Sequence, residues 1–345
     1  MLAPSHPENP AANPLVTMIV VCYNQARFVV ETLESVKAQT YKNTQLIIVD
    51  DCSTDDSVAV VDRWLQENQI ECTFIRHQKN QGVCKSLNEA LTLTTGKYIS
   101  MIGSDDVWLP DKIARQMEIM ESQPDDVAVL YSDAFLIDET GDALPGSYVT
   151  TYCNLPEAPQ GQVLDTLLDH NFIPGMTTLI RRSCYDAVGF YDENLPWEDW
   201  DMWLRIARHY SFVYSPALGA KYRIHQGSFS HSEPLSMATG TIKIFAKQFD
   251  LGHLDQQQKS TLKVKLVSLA VELYKLNDGD SPEVLLAVWQ ATGNRKAGWM
   301  YRFARLGVSF RTLQRANACR KRLRNLFGKP WNSINLQRRN DGQPK

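Results

Sequence analysis

The chain has 345 residues, 43% hydrophobic and 22% charged, the mixture of an ordinary soluble, enzyme-like protein with length for one large domain and an appendage. No run of about 18 apolar residues occurs, which excludes a transmembrane helix and leaves only peripheral contact with a membrane. The net charge of −3 hides an asymmetry: Arg295 to Asn340 hold 13 Lys or Arg and no Asp or Glu, against 22 basic and 38 acidic residues in Met1 to Asn294. An acidic body carries a basic tail.

Met1 to Pro14 hold four prolines and no apolar run, so residues 1–13 read as a disordered lead-in and not as a secretory signal. Seven cysteines are scattered along the chain, an odd number with no pair at metal-ligand spacing, which suits a reducing cytoplasm.

From Leu15 apolar runs alternate with amphipathic stretches, the signature of an α/β domain. Leu15 to Cys22 is the first expected strand, and a helix follows over Phe28 to Gln39. Strand and helix alternate again at Gln45 to Val49 and Asp56 to Glu67, at Cys72 to Arg76 and Val83 to Thr94, and at Tyr98 to Ile102 and Pro110 to Ser122. Pro110 suits a first helical turn. A further strand is expected at Val127 to Tyr131. Most of these strands are short, apolar and rich in Val and Ile, as a parallel sheet covered on both faces requires. Between Ser132 and Phe190 Pro and Gly break the periodicity; this region, with Ile173-Pro-Gly-Met-Thr177, is expected to build the variable side of a cleft.

Polar residues collect at the C-terminal ends of the expected strands: Tyr23 and Asn24, Asp50 and Asp51, Asp105 and Asp106. Open α/β sheets bind ligands at that edge, so three strand ends converge on one site. For any single end the alternative is that Asp and Asn merely favour turns. Neither G-x-G-x-x-G after the first strand nor G-x-x-x-x-G-K-[ST] occurs, which argues against a backbone-cradled pyrophosphate. A divalent cation on a carboxylate could instead neutralise a diphosphate, and Asp105 and Asp106 supply the carboxylates.

A second acidic pair, Glu198-Asp199, opens a helix-like run from Trp200 to Arg208 in which Met202, Trp203 and Ile206 point inward. A carboxylate at a helix N-terminus is stabilised as the anion, and it can equally serve only as a cap. Trp197, Trp200 and Trp203 suit a sugar face, although Trp at helical spacing is more often core.

The segments Pro14-Leu-Val-Thr-Met-Ile-Val-Val-Cys-Tyr-Asn24, Gln39-Thr-Tyr41, Ile47-Ile-Val-Asp-Asp-Cys-Ser-Thr-Asp55, Asn80-Gln-Gly82, Gly96-Lys-Tyr98, Ser104-Asp-Asp106, Leu109-Pro-Asp-Lys112 and Glu198-Asp199 occur in one order. In that order they resemble family 2 glycosyltransferases, inverting enzymes, over roughly Pro14 to Ser232. The resemblance implies a GT-A type nucleotide-diphospho-sugar transferase fold, a mostly parallel central sheet flanked by helices, with a C-terminal helical appendage. It covers a domain over 14–232 and lapses beyond it, where leucine spacing and charge mark a helical extension over 233–294 and a basic amphipathic segment over 295–345. It implies that Tyr23 borders the nucleotide base, that Asp51 accepts a hydrogen bond from it with Asp50 assisting, and that Asn24 and Lys85 lie on the nucleotide-sugar side. Asp106 is the implied ligand of Mg2+ or Mn2+, with Asp105 nearer the ribose and also at the metal. His225, in Tyr222-Arg-Ile-His225, is implied at the cation or the phosphates. Asp199 matches the general base, with Glu198 as its neighbour. One departure is Gly103, where many relatives carry a third acid.

By that resemblance the activity is sugar transfer from a nucleotide-diphosphate donor, with UDP-sugar as the donor class, to a glycan or lipid-linked acceptor in the cytoplasm. The alternatives are a non-catalytic nucleotide-sugar-binding or membrane-docking protein of the same fold, and a sugar nucleotidyltransferase. The latter wants a Gly-rich basic loop that Cys22-Tyr-Asn-Gln-Ala-Arg27 does not provide.

Toward the C-terminus Leu262, Leu266, Leu269, Leu273 and Leu276 form one helical face, too short to specify a dimer seam, so oligomeric state is not legible. Trp299, Phe303, Leu306, Phe310 and Leu313 repeat the pattern beside Arg302, Arg305, Arg311 and Arg315. Two readings stand: a helix lying in an anionic membrane surface, or one packing its stripe on the body. The acidic body and the lack of a binding module argue against nucleic acid.

Overall fold

A computed structural model describes residues 13–153, 155, 157–197, 199–228, 234–276 and 282–316. The expected lead-in, Glu198 and the basic tail beyond residue 316 lie outside the described residues. The chain forms two compact units, the first ending at Leu262 and the second beginning at Lys263.

Every expected strand and helix of the first half is present, with bounds moved by a residue or two except at one strand. The order is β1 (Val16–Cys22), α1 (Val29–Lys37), β2 (Thr44–Asp50), α2 (Ser57–Asn68), β3 (Thr73–Arg76), α3 (Val83–Thr92), β4 (Tyr98–Gly103), a short β5 (Val107–Trp108), α4 (Lys112–Glu121) and β6 (Val127–Ile137). The exception is β6, which runs on to Ile137 because β9 (Ser211–Arg223) pairs with it along its length. Pro110 lies just before α4, not in its first turn. The broken region supplies β7 (Ala143–Ser147), a π-helical turn (Val149–Cys153), α5 (Leu164–Asp169), a 3-10 turn (Gly175–Thr177), β8 (Leu179–Arg181) and α6 (Ser183–Val188). Then come α7 (Asp199–Ile206), β9, α8 (Pro234–Asp250) and α9 (Gln256–Leu276).

Strands run in the order β3-β2-β1-β4-β8-β6-β9-β5, with β7 on β6. The first four are parallel, whereas β8 is antiparallel to both its neighbours and β5 is antiparallel to β9, so the sheet is mixed beyond β4. After β1 the chain moves outward to β2 and β3, then returns to the other side of β1 as β4. That reversal opens a crevice at the C-terminal ends of β1 and β4, where ligands of such sheets bind. Burial of Val16, Met18 and Val20 against Val29, Leu33 and Val36 of α1 anchors the centre. Each such side chain contributes about 1.5–3 kcal/mol over its exposed state.

In the second unit, Leu266, Ala270 and Leu273 of α9 are buried and Leu269 is half-buried, as the leucine spacing implies. Helices α10 (Pro282–Thr292) and α11 (Arg295–Arg305) form a hairpin. Gly293 takes a left-handed φ of 63° between them, and the Asn294 side chain caps α11 by accepting from Lys296 N and Ala297 N. The expected continuous stripe from Trp299 to Leu313 is broken. Helix α11 stops at Arg305, Gly307 adopts a φ of 67°, and residues 310–316 form a separate helical stretch in which Phe310 meets the Tyr274 ring. A glycine in the left-handed region just past a helix end is the usual terminator.

Candidate active site

Strand β4 ends at Gly103, and the chain turns through Ser104-Asp105-Asp106 before β5 pairs with β9. Two elements hold this turn. From α1, Thr32 Oγ1 donates to the Asp106 carbonyl at 2.7 Å, and Ser35 Oγ accepts from Trp108 N at 3.0 Å. Just past that helix, Gln39 donates to the Leu109 carbonyl at 2.8 Å and accepts from Ile113 N at 3.1 Å, so it also caps α4. Thr32, Ser35 and Gln39 fall at i, i+3 and i+7, one face of a helix.

From β9, Arg223 N donates to Asp106 Oδ1 at 2.9 Å and Arg223 Nε to the Asp105 carbonyl at 2.8 Å. The same buried guanidinium reaches the Asp138 carbonyl at 3.2 Å and the Glu31 carboxylate at 2.5 Å, and lies over the Phe28 ring. A charge is tolerated at that depth because it is paired and hydrogen-bonded.

Burial, reinforced by the adjacent Asp105, pushes the Asp106 carboxyl well above the usual carboxylate range. A divalent cation relieves such a state by supplying the missing positive charge. One or two carboxylates with open positions for phosphate oxygens suit Mg2+ or Mn2+, so the acidic pair fits such an ion. Among the described residues no group of three donors is assembled in advance. His225 Nε2 instead lies 3.1 Å from Asp105 Oδ2, its ring packed on Phe28. At Gly103 a Cβ would stand 2.9 Å from Asp105 Oδ1, so a third acid there would crowd the pair.

Asp199 is the first residue of α7, and backbone N–H groups at its own position and at Trp200 point to its carboxylate. Asn171 Nδ2 donates to both its oxygens at 3.1 Å. Burial raises the carboxyl to about 6, against the opposing pull of Asn171 and the helix N–H groups. Gly175 lies alongside, where a Cβ would sit 3.8 Å from Asp199 Oδ2. Thus Asp199 binds the helix start, as a cap does, and also faces open space.

That space is a cavity of about 320 Å³ whose wall includes Asp105 and Asp106 on one hand and Asp199 and Asn171 on the other. Tyr148, Tyr191, Tyr222, Trp197 and Trp203 supply its aromatic surface. Three buried polar atoms around it, Asn171 Oδ1 and the indole N–H groups of Trp197 and Trp203, have no hydrogen-bond partner among the described residues. Helix α8 closes one side: Met237 lines the cavity, and Gly240 lies so close to Trp197 that a Cβ there would come within 2.3 Å of Nε1. Asp201, by contrast, turns away into ion pairs with Arg205 and Lys247.

Apart from Asp105, the residues assigned to the nucleotide stand outside this cavity lining. Asp50 accepts from Ser53 N and Oγ, and Asp51 accepts from Gln81 N and Gly82 N at 2.8 Å while His77 Nδ1 lies 2.7 Å away. Both therefore shape the loops after β2 and before α3. Tyr23 is 46% exposed just past β1, next to Asn24, whose Oδ1 accepts from Thr54 N. Lys85 is exposed on α3. The sequence reading had not singled out Thr32, Ser35, Asn171 or His77. The spacing of the first two with Gln39 was a readable signal, whereas nothing local marks Asn171 or His77.

The model of the family described as Glycosyl transferase family 2 matches residues 17–189. A Rickettsia prowazekii protein, uncharacterized glycosyltransferase RP339, is 31% identical over 218 residues, 62% of this chain and 65% of that one. The chain spans only 31% to 35% of three longer Rickettsia relatives. Escherichia coli WfaP, named as a UDP-Glc:alpha-D-GlcNAc-diphosphoundecaprenol beta-1,3-glucosyltransferase, is 30% identical over 222 residues, 63% of this chain and 80% of the relative. Among solved structures, the mannosyltransferase PcManGT from Pyrobaculum calidifontis, in complex with GDP-Man and Mn2+, matches with a TM-score of 0.58 at 19% identity over 93% of this chain and 89% of that one.

Proposed function

The chain belongs to glycosyl transferase family 2 and has the GT-A fold, and on that footing we propose that it transfers a sugar from a nucleotide-diphosphate donor to an acceptor hydroxyl with inversion. The observation that carries this reading is one cavity walled by both the acidic pair and Asp199.

In this reading Asp199 takes the proton of the acceptor hydroxyl as the oxygen attacks the anomeric carbon in line, and the donor's diphosphate leaves on the opposite side. A carboxylate raised to about 6 is ionised at neutral pH yet basic enough to accept that proton. Asn171 fixes the direction of the carboxylate, and its free Oδ1 is left to accept from a sugar hydroxyl. The unpartnered indole N–H groups of Trp197 and Trp203 likewise suit hydroxyl acceptors, and the rings exclude water. Asp106 with Asp105 would hold Mg2+ or Mn2+, which supplies Lewis-acid charge at the leaving diphosphate when bound. Arg223 and Thr32 keep those carboxylates in register.

The donor and acceptor in WfaP's name support a UDP-sugar and a lipid-linked glycan, while the GDP-Man of PcManGT keeps the nucleotide a matter for measurement. A cytoplasmic setting accords with the six described cysteines, all free thiols. The test is release of nucleoside diphosphate across a panel of nucleotide sugars with Mn2+, comparing native protein with Asp199→Asn. Turnover of one donor, lost in the variant, supports transfer with Asp199 as base. Equal turnover in both proteins removes Asp199 from the chemistry, and donor binding without turnover in the presence of acceptor lipids favours a binding protein.

A further inference from the structure

Helix α11 turns one face inward but leaves its largest apolar side chain, Trp299, outward, with Leu306 exposed just past its end. Ala297, Met300 and Ala304 are buried, whereas Trp299 is 52% and Leu306 77% exposed. Trp289 of α10 rests on Gly298, where a Cβ would come 2.9 Å from its indole nitrogen, so the hairpin closes on the inner face and, among the described residues, leaves Trp299 on the outer one exposed. An amphipathic helix packed for stability alone turns a side chain as large as Trp299 toward its core.

The outer face is also cationic. Exposed Arg295, Lys296, Arg302 and Arg305 share the helix with Trp299, Leu306 follows at its C-cap, and no Asp or Glu occurs from Arg295 to Asn340. The Arg302 guanidinium lies 5.3 Å from the Trp299 ring centroid and 5.5 Å from that of Trp289, while Trp299 stacks on Phe303. Large aromatic and aliphatic side chains beside arginines match an interface whose outer layer is anionic and whose inner layer is hydrocarbon. Nucleic acid would use the charge and could stack a base on Trp299, but it leaves the exposed aliphatic Leu306 without a partner. The 38 acidic residues of Met1 to Asn294 would further oppose a polyanion wrapping the body.

We propose that the outer face of α11 is a docking surface for anionic phospholipid, with Trp299 and Leu306 entering the headgroup region and Arg295, Arg302 and Arg305 meeting lipid phosphates. This does not rest on the sugar-transfer reading, because it uses none of the cavity residues.

The full-length protein is sedimented with vesicles of phosphatidylcholine alone and of equal parts phosphatidylcholine and phosphatidylglycerol, at low and at physiological salt. Binding to the mixed vesicles that weakens with salt is the expected result. The pair Trp299→Ser with Leu306→Ser, and separately Arg302→Gln with Arg305→Gln, should each weaken it on the order of tenfold with the melting temperature unchanged. Absence of native binding to mixed vesicles, or equal binding by both variants, overturns the proposal. So does a lipid-free dimer that the Trp299 and Leu306 variant turns into a monomer, since the face would then belong to a second copy of the chain.

Discussion

The acidic turn and Asp199 share one cavity but are held in opposite ways. Asp105 and Asp106 sit in a turn gripped by Thr32 and Ser35 of α1 and by Arg223 of β9, several hydrogen bonds from a helix and a strand of the sheet. Among the described residues Asp199 has one side-chain partner, Asn171, and the first N–H groups of its own helix. A many-handed turn keeps its geometry when a single contact is lost. A carboxylate with few partners has a proton affinity that single substitutions can move.

The largest effect should come from Asp199→Asn, which should lower kcat by about 10²-fold or more through loss of the base. Its stability should move the other way. The folded carboxyl is raised to about 6, so its favourable contribution is complete only below its unfolded value and is lost as pH rises through about 6. At neutral pH the ionised group costs stability, and calorimetry should show the variant melting a few degrees higher there and no higher near pH 4.

Next in size is the pH profile. In native protein kcat/KM should fall about tenfold per unit below pH 6 and level off above it. Asn171→Ala removes a donor to the anion, so the inflection should move upward by about one unit, with a several-fold loss of rate at neutral pH. An unmoved inflection would assign the titration to another group.

Thr32→Val probes the other region and should be milder, about 1 kcal/mol of stability for one buried hydrogen bond. It should raise the Mn2+ concentration for half-maximal activity a few-fold while leaving the pH inflection in place. If instead it shifts the inflection as far as Asn171→Ala does, the two regions are not independent and the contrast fails.

The smallest effect concerns Cys52, which holds a left-handed φ of 64° between Asp51 and Ser53. A side chain there costs about 1 kcal/mol relative to glycine, so Cys52→Gly should raise unfolding free energy in urea by about that amount with activity unchanged.

Much of the first region was legible because its signals are local. Val and Ile runs specify strands, and acids after strand ends fall at a switch-point edge once the order of β1, β2 and β4 is known. The roles of Asp50 and Asp51 were less legible, because their neighbours Ser53, Gln81 and Gly82 compete for the same carboxylate oxygens. The wall around Asp199 was hardest. Asn171 sits 28 residues before it, and α8 lies beyond the residues matched by the family, yet Met237 and Gly240 shape the space around Trp197.

By itself the sequence determined the alternation of strands and helices, the acidic residues available for chemistry and the cationic character of the C-terminal segment. Periodicity, residue type and charge are properties of the chain before it folds. Only the tertiary structure decided that the two acidic sites share one cavity, that Asn171 and Arg223 orient them, and that α11 presents Trp299 and Leu306 outward. Those are contacts and exposures set by packing between segments distant in the chain, which no local pattern encodes.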